Sequence, residues 1–413
     1  MLPTASGSPS PGSPALADVL EGPLNTRALG PRVAAAVIDL STGSTLLAEN
    51  ADSALTPAST IKILTSAAAL DVLGPGHRFT TRVLTGAGAD QIVLVGGGDP
   101  ALTAREDKEL GGATPLVELA NRTAAALSKT DTTSVELLVD DSLFTGPAID
   151  PDWRSSYVPN GEVGPVSALA VDGGRITPGL RARSDDPALF AAADFAKFLA
   201  ARGIIVRAGP VRGEAPSGAA EIAAVRSVPL AQIVEHVLLI SDNDGAEVLA
   251  RHVALGTGRS GSSRAADEAV VETLETMGIE MSGTTVVDGS GLARGNAISP
   301  DVLVATLAAA ARTENPDLRP VLTGLPVAQF TGTLDDRFDS RRAADAAGVV
   351  RAKTGTLSGV SSLAGFVVAR DGGTYGFAVL ADEIVNSEAA RAALDEMAAA
   401  LAGCGCAHPG PGA

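Results

Sequence analysis

The chain carries three short motifs in a fixed order: Ser59-Thr60-Ile61-Lys62, then Ser241-Asp242-Asn243, then Lys353-Thr354-Gly355-Thr356. A serine hydroxyl becomes an effective nucleophile only when a nearby base takes its proton. Residues three apart lie on one face of a helix, so Lys62 can reach Ser59 if the first motif is helical. The Ser-x-x-Lys motif alone is weak evidence, because any helix surface can supply it, and Ser-x-Asn alone is weaker still. Their ordered combination indicates a serine nucleophile activated by a lysine.

The first motif lies at the start of a predicted helix, residues 58–73, which ends at Gly74-Pro75. We therefore expect the nucleophile at the positive end of the helix dipole. Lys62 can act as a base only if its pKa is lowered, which burial and a second nearby cation, Lys353, would both do. The alternative interpretation is an ordinary helix start, with Ser59 as its cap and Lys62 extended towards solvent.

The second motif follows an apolar stretch, residues 230–240, that is predicted to be a buried helix. Asp242 or Asn243 would cap the next helix, residues 244–255, and for the motif taken alone this interpretation is as good as a functional one. In the functional interpretation, the Ser241 hydroxyl relays a proton to the leaving amine. The Asn243 amide holds a substrate carbonyl and Lys62.

The third motif lies in a predicted strand, residues 349–357, followed by two further strands, 360–369 and 375–381, joined by a turn. A glycine at position 355 would let a substrate backbone approach closely. Lys353 and the hydroxyls of Thr354 and Thr356 would recognise a terminal carboxylate. The backbone N–H groups of Ser59 and Thr356 would face a developing oxyanion. The alternative is an ordinary strand that contains one lysine.

Composition excludes several classes of protein. The 413 residues carry a formal net charge of −17, so the chain has no electrostatic footprint for nucleic acid or an anionic membrane. No apolar run is long enough to span a bilayer. The four histidines are scattered, and they suggest neither a catalytic triad nor a metal site; no cofactor is expected. Cys404 and Cys406 are too few for a disulfide framework, and a pairing two residues apart would be strained.

Alternation and turn signals predict the fold class α+β, with an antiparallel sheet, flanking helices and an inserted α/β domain. Residues 29–78 and 223–403 are expected to form one discontinuous catalytic domain, ending in a helix over 387–402. The insertion, residues 79–222, is expected to contain strands near 79–85, 91–95, 135–140, 167–172 and 204–208. Residues 1–28 are predicted to be a flexible Pro/Ser/Gly-rich tract, and 404–413 a tail. We expect such a tract to follow a signal peptide or anchor that is absent from this sequence.

The chain resembles the class C low-molecular-mass penicillin-binding proteins, the D-alanyl-D-alanine carboxypeptidase/endopeptidase family. The three motifs match the signature shared by penicillin-binding proteins and class A β-lactamases. Further runs, more specific to the family, extend the resemblance over nearly the whole chain from about residue 30: Leu94-Val95-Gly96-Gly97-Gly98-Asp99-Pro100, Asp140-Asp141-Ser142-Leu143-Phe144, Val287-Asp288-Gly289-Ser290-Gly291-Leu292, Leu325-Pro326-Val327-Ala328 and Gly332-Thr333-Leu334.

This resemblance implies an extracytoplasmic serine peptidase that acts on peptidoglycan stem peptides ending in D-Ala-D-Ala and is inhibited covalently by β-lactam antibiotics. Ser59 would be the acylated nucleophile and Lys62 its base. Ser241 and Asn243 would form the second wall of the cleft, and the motif beginning at Lys353 would form the third. Two departures concern the substrate side chain. Family members usually have a longer insertion between the first two motifs, and a glycine where Gln329-Phe330 follows Leu-Pro-Val-Ala.

Two alternatives remain open. A class A β-lactamase would be shorter between the first two motifs and would use a glutamate for deacylation. Glu162 is the one nearby glutamate that we can nominate, and its Gly/Pro-rich surroundings do not resemble the relevant loop. A peptidoglycan-binding scaffold with a dormant site is the non-enzymatic alternative. The presence of every catalytic residue argues against it.

Overall fold

The computed structural model describes residues 16–104, 115–177 and 179–404, and these divide into two compact units. The described part of the first unit comprises residues up to Asp71, Val234–Asp242 and the chain from Val270 onward. The second comprises the described residues within Val72–Ile233 and Asn243–Ala269. Each unit contains its own sheet.

The strands are β1 (Arg32–Asp39), β2 (Thr45–Glu49), β3 (Thr80–Thr85), β4 (Gln91–Val95), β5 (Ser134–Asp140), β6 (Ile205–Val206), β7 (Val211–Arg212), β8 (Glu221–Arg226), β9 (Val350–Leu357), β10 (Val360–Val368) and β11 (Thr374–Asp382). The α-helices are α1 (Leu16–Leu24), α2 (Lys62–Leu73), α3 (Leu116–Ser128), α4 (Pro187–Ala200), α5 (Leu230–Ile240), α6 (Asn243–Gly256), α7 (Ser263–Thr276), α8 (Pro300–Ala311), α9 (Arg319–Thr323) and α10 (Ser387–Gly403).

The first unit is built on a five-stranded antiparallel sheet in the order β2-β1-β11-β10-β9. Strands β10 and β11 are buried at almost every position, which is typical of strands covered on both faces. Helix α10 packs against β10, and α8 packs against β11 and β1. The fold is therefore α+β with an antiparallel sheet and flanking helices, which confirms the predicted fold class.

The N-terminal region differs from the prediction of a flexible tract over residues 1–28. Residues 1–15 lie outside the described part of the chain, but α1 begins at Leu16 and packs against α10. Its buried side chains, Leu16, Leu20 and Leu24, recur every four residues and therefore lie on one helix face. This apolar stripe joins the core of the first unit, which accounts for the ordered helix.

The second unit contains a mixed sheet in the order β6-β5-β4-β3-β8, with β7 also paired to β5. The β4–β5 and β5–β6 pairs are parallel, and β3 is antiparallel to both of its neighbours. Apolar side chains of α3 and α4 share one core with these strands. The predicted strand over 167–172 does not form. The backbone hydrogen bonds of this segment go to loop residues instead, from Gly98 N to Ala168 O and from Asp172 N to Leu102 O.

The boundaries of the units also differ from the predicted insertion at 79–222. Residues 72–78, 223–233 and 243–269 group with the second unit. Side-chain contacts of α6 explain part of this difference. The Arg251 guanidinium donates to the carbonyl oxygens of Thr145 and Pro147, and the Asp244 carboxylate accepts from Gly164 N at 2.6 Å.

In the described ranges, no helix has the length and apolar character needed to cross a membrane. Of the predicted tail at 404–413, only Cys404 belongs to those ranges, and it is disulfide-bonded. Cys406 and the rest of the tail lie outside them.

Candidate active site

Ser59, the predicted nucleophile, lies in a tight turn that leads into α2. The predicted single helix over 58–73 is divided in the structure, with a 3-10 turn over Ala58–Ile61 and the α-helix beginning at Lys62. The Lys62 amine donates a hydrogen bond to Ser59 Oγ at 2.8 Å. This distance suits proton transfer between a hydroxyl and a general base. The structure thus brings together the two residues of the first motif.

A backbone carbonyl holds the other side of the same amine. Lys62 Nζ donates to Ser290 O at 2.6 Å, and Ser59 Oγ lies 3.4 Å from the same oxygen. The Lys62 side chain is fully buried, whereas Ser59 is only half-buried. A buried amine with fixed partners keeps one orientation relative to the Ser59 hydroxyl.

The loop that presents the Ser290 carbonyl is organised by a buried carboxylate. Asp288 accepts from Gly291 N and Ala293 N, both at 2.7 Å, and from Asn296 Nδ2 at 2.7 Å. The Ser290 hydroxyl also donates to Asp288 at 3.3 Å. This run is part of the family resemblance, but the sequence predicts no role for it in the site. The sequence feature that indicates this loop is Gly-Ser-Gly beside an aspartate, a combination typical of a tight turn.

Two glycines allow the elements around the nucleophile to pack closely. Ala58, just before Ser59, has φ of 47°, a left-handed conformation that costs energy for a residue with a Cβ. A Cβ on Gly291 would overlap the Ala58 carbonyl oxygen, and a Cβ on Gly355 would lie 2.6 Å from Pro57 O. The absence of a side chain at Gly355 therefore accommodates the turn before Ser59. The close approach of substrate at Gly355 stays a prediction.

Lys353 is also fully buried, and its amine donates to Thr354 O at 3.0 Å. Burial lowers the pKa of Lys353 well below its usual 10.5, and the charge of Lys62 lowers it further. The two motif lysines are therefore close enough to interact electrostatically. The motifs in the sequence predict this proximity of a second cation to Lys62.

The two threonines of the third motif occupy different environments. Thr354 is half-buried, and its hydroxyl donates to Thr333 Oγ1 at 2.9 Å. Thr356 is exposed and lies opposite Ser361 in the β9–β10 register. Strand β9 is the last strand of its sheet in the described ranges, so one edge of the motif faces away from the paired strands. Thr333 had no predicted role.

Along the chain, the second motif is divided between the two units, because the first ends a segment at Asp242 and the second resumes at Asn243. Ser241 follows α5 in the first unit with φ of 60° and is half-buried; within the described ranges, its hydroxyl has no hydrogen-bond partner. Asn243 is the first residue of α6 in the second unit, and its Nδ2 donates to Glu162 O at 2.8 Å. The roles of Ser241 and Asn243 beside Lys62 remain predictions.

Comparison with known proteins identifies the family. The model of the D-Ala-D-Ala carboxypeptidase 3 (S13) family matches residues 16–184 and 177–403. The chain belongs to this family. A carboxypeptidase of Mycobacterium tuberculosis is 38% identical over 383 residues, which cover 91% of this chain and 81% of the relative. Carboxypeptidase DacB of Mycolicibacterium smegmatis is 35% identical over 414 residues, which cover 98% of this chain and 88% of the relative.

A solved structure supports the fold. Penicillin-binding protein 4 of Haemophilus influenzae matches with a TM-score of 0.75 and 22% identity, over 93% of this chain and 97% of that chain. The family model and the two curated relatives confirm the resemblance to the carboxypeptidase family, and the chain is a serine-type D-Ala-D-Ala carboxypeptidase of the penicillin-binding class.

Proposed function

We propose that this enzyme removes the terminal D-alanine from peptidoglycan stem peptides through an acyl-enzyme on Ser59. The observation that carries the proposal is the 2.8 Å hydrogen bond from the Lys62 amine to the Ser59 hydroxyl. The bond to Ser290 O holds that amine in place.

In the acylation step, Ser59 Oγ attacks the carbonyl carbon of the D-Ala-D-Ala peptide bond while its proton passes to the Lys62 amine. The backbone N–H groups of Ser59 and Thr356 stabilise the negative charge on the substrate oxygen. Ser241 then relays a proton to the nitrogen of the departing D-alanine, and the C–N bond breaks. Water attacks the resulting ester, which releases the shortened peptide and restores the serine.

Substrate binding is assigned to the third motif and to Asn243. The terminal carboxylate lies against the cleft wall that contains Lys353, Thr354 and Thr356, and charge-assisted hydrogen bonds from groups of that wall hold it. The edge of β9 over residues 353–356 suits an extended peptide, because the backbone of a peptide can add to a sheet edge. The Asn243 amide holds a substrate carbonyl.

The same chemistry predicts covalent inhibition by β-lactams, because opening the lactam ring leaves an ester on Ser59. The Haemophilus influenzae protein has also been solved with a β-lactam bound. An endopeptidase activity differs only in the leaving amine, which then belongs to a second stem peptide. We infer that the enzyme works outside the cytoplasm, because peptidoglycan stem peptides are its proposed substrates.

A fluorescent penicillin tests this function. The mass of the protein is followed for hours after the reagent is added, and release of D-alanine from a D-Ala-D-Ala peptide is measured in parallel. A long-lived adduct together with D-alanine release is the expected result. Rapid loss of the adduct with no peptide hydrolysis would indicate a β-lactamase. If neither adduct nor hydrolysis appears, the site is dormant and the proposal is wrong.

A further inference from the structure

The hydroxyl of Thr354 already makes a hydrogen bond within the protein. It donates to Thr333 Oγ1 at 2.9 Å. A hydroxyl has one hydrogen to donate, and an ionised carboxylate can only accept. While this bond is made, Thr354 cannot donate to the carboxylate of a substrate.

Lys353 alone is not a strong anchor for the carboxylate of a substrate. Its amine is fully buried and donates to Thr354 O at 3.0 Å. Burial, with the charge of Lys62 as a second cause, lowers its pKa well below the usual 10.5. A lysine that loses its charge more readily is a weaker anchor for an anion. More of the carboxylate binding must therefore come from hydroxyl groups.

Thr333 is placed to provide such a hydroxyl. It lies in a short 3-10 turn, Gly332–Leu334, that contacts β9. The turn is fixed by a hydrogen bond from Gln329 N to Leu334 O at 2.8 Å. A side chain on Gly332 would overlap the Leu239 carbonyl. Thr333 is half-buried, and within the described ranges its oxygen accepts from Thr354 while its own hydrogen has no acceptor.

We propose that Thr333 is a specificity-determining residue whose hydroxyl donates directly to the terminal carboxylate of the substrate. Thr354 strengthens this bond indirectly by donating to Thr333, because a hydroxyl that accepts a hydrogen bond becomes a better donor. The chain of donation runs from Thr354 to Thr333 to the carboxylate. This inference rests on the proposed function and adds a residue from outside the three motifs to the binding site.

The test compares two peptides that end in D-Ala-D-Ala, one with a free carboxylate and one with a C-terminal amide. The variants are Thr333→Val, Thr333→Ser and Thr354→Val. Thr45→Val is the matched control, since it removes an exposed threonine hydroxyl from β2 at the opposite edge of the same sheet. The readout is the ratio of kcat/KM for the free acid to kcat/KM for the amide, with Tm measured for each variant.

We expect Thr333→Val to lower this ratio by roughly 10- to 150-fold, the effect of losing a hydrogen bond to a charged group. Thr333→Ser and Thr45→Val should keep the wild-type ratio, and Thr354→Val should lower it less than Thr333→Val does. An unchanged ratio in Thr333→Val, or an equal loss for both peptides, would overturn the inference.

A separate assay distinguishes this inference from the proposed function. Acylation by benzylpenicillin is compared with acylation by its methyl ester, which lacks the carboxylate. Suppose that the wild-type protein forms the adduct and that Thr333→Val still prefers the free acid as strongly as the wild type does. This result would refute only the role of Thr333. Wild-type protein that forms no adduct and cleaves neither peptide would refute both.

Discussion

Both units of this enzyme bury ionisable side chains, but they use them differently. In the first unit, the buried amine of Lys62 donates to a half-buried serine hydroxyl. In the second unit, buried His252 faces a backbone carbonyl, Gly98 O, at 2.8 Å. The His252 ring also packs against the aromatic rings of Phe79 and Phe144. No nucleophile takes part in those contacts.

Perturbed pKa values alone do not separate the two regions. Burial lowers the pKa of Lys353 in the first unit, and in the second unit it lowers the pKa of His252 to about 4. Burial also raises the pKa of Asp99 to about 7. Such shifts are used to nominate active sites. Lys353 and His252 both face backbone carbonyl oxygens, so the feature that distinguishes the first unit is the hydrogen bond from the Lys62 amine to the Ser59 hydroxyl.

The largest effect is expected for Ser59→Ala, which removes the nucleophile and should abolish covalent labelling by penicillin. The fold should be retained, because the change deletes only a half-buried hydroxyl. Intact-protein mass spectrometry after incubation with penicillin measures the adduct, and circular dichroism checks the fold. Labelling that persists in the folded variant would show that acylation occurs at another residue.

Lys62→Ala should slow acylation by about 10²- to 10⁴-fold, the usual contribution of a general base. The matched control is Lys129→Ala, which removes an exposed lysine from the second unit. Stopped-flow measurement with a chromogenic penicillin gives both rates. If Lys62→Ala acylates as fast as the control, the proton leaves Ser59 by another route, and the contrast between the two units disappears.

Gly355→Ala tests whether close packing positions the nucleophile. The added Cβ would lie 2.6 Å from Pro57 O, an oxygen that also accepts hydrogen bonds from Ser362 Oγ and Thr60 Oγ1. The turn before Ser59 must shift, and a misplacement near 1 Å costs roughly 10²-fold in rate. Gly76→Ala is the control, because its Cβ would meet no atom within 4 Å. Equal acylation rates in the two variants would argue against this positioning role.

Much of the first unit was predictable, because its signals are local. Alternating apolar residues and a turn predict β10 and β11, and a serine and lysine three residues apart predict the Ser59–Lys62 contact that the structure contains. The four-residue leucine spacing of α1 was also present, but the neighbouring Pro/Ser/Gly composition obscured it.

The missed residues act through contacts that local patterns do not encode. Ser290 accepts from Lys62 with its backbone carbonyl, across 228 positions of sequence. Every residue has such a carbonyl, so no side-chain pattern reveals which one faces the site. Thr333 similarly meets Thr354 only because a turn 21 positions earlier packs against β9. Tertiary packing decides both contacts.

The smallest effect on acylation is expected for Asp99→Asn in the second unit, where the change should alter stability instead. The pKa of folded Asp99 is about 7, above its ordinary 3.8, because burial disfavours the charged form. The folded state therefore holds this proton more tightly than the unfolded state. The resulting stabilisation is complete below about pH 4 and is lost as the pH rises through 7. Asparagine stays neutral at every pH and can still accept from Ala101 N, which donates to Asp99 in the wild type.

The free energy of unfolding of Asp99→Asn relative to wild type should consequently rise by about 3 kcal/mol between pH 5 and pH 8. His252 has the opposite dependence, since its pKa of about 4 lies below the ordinary 6.5, and its contribution is lost as the pH falls. That contribution is present in both proteins and cancels in the difference. Urea unfolding of both proteins at the two pH values measures the effect, and penicillin acylation at pH 8 should remain at the wild-type rate. A difference in stability that does not change with pH would show that Asp99 is already ionised in the folded protein. A loss of acylation would instead show that the second unit's buried groups contribute to the chemistry of Ser59.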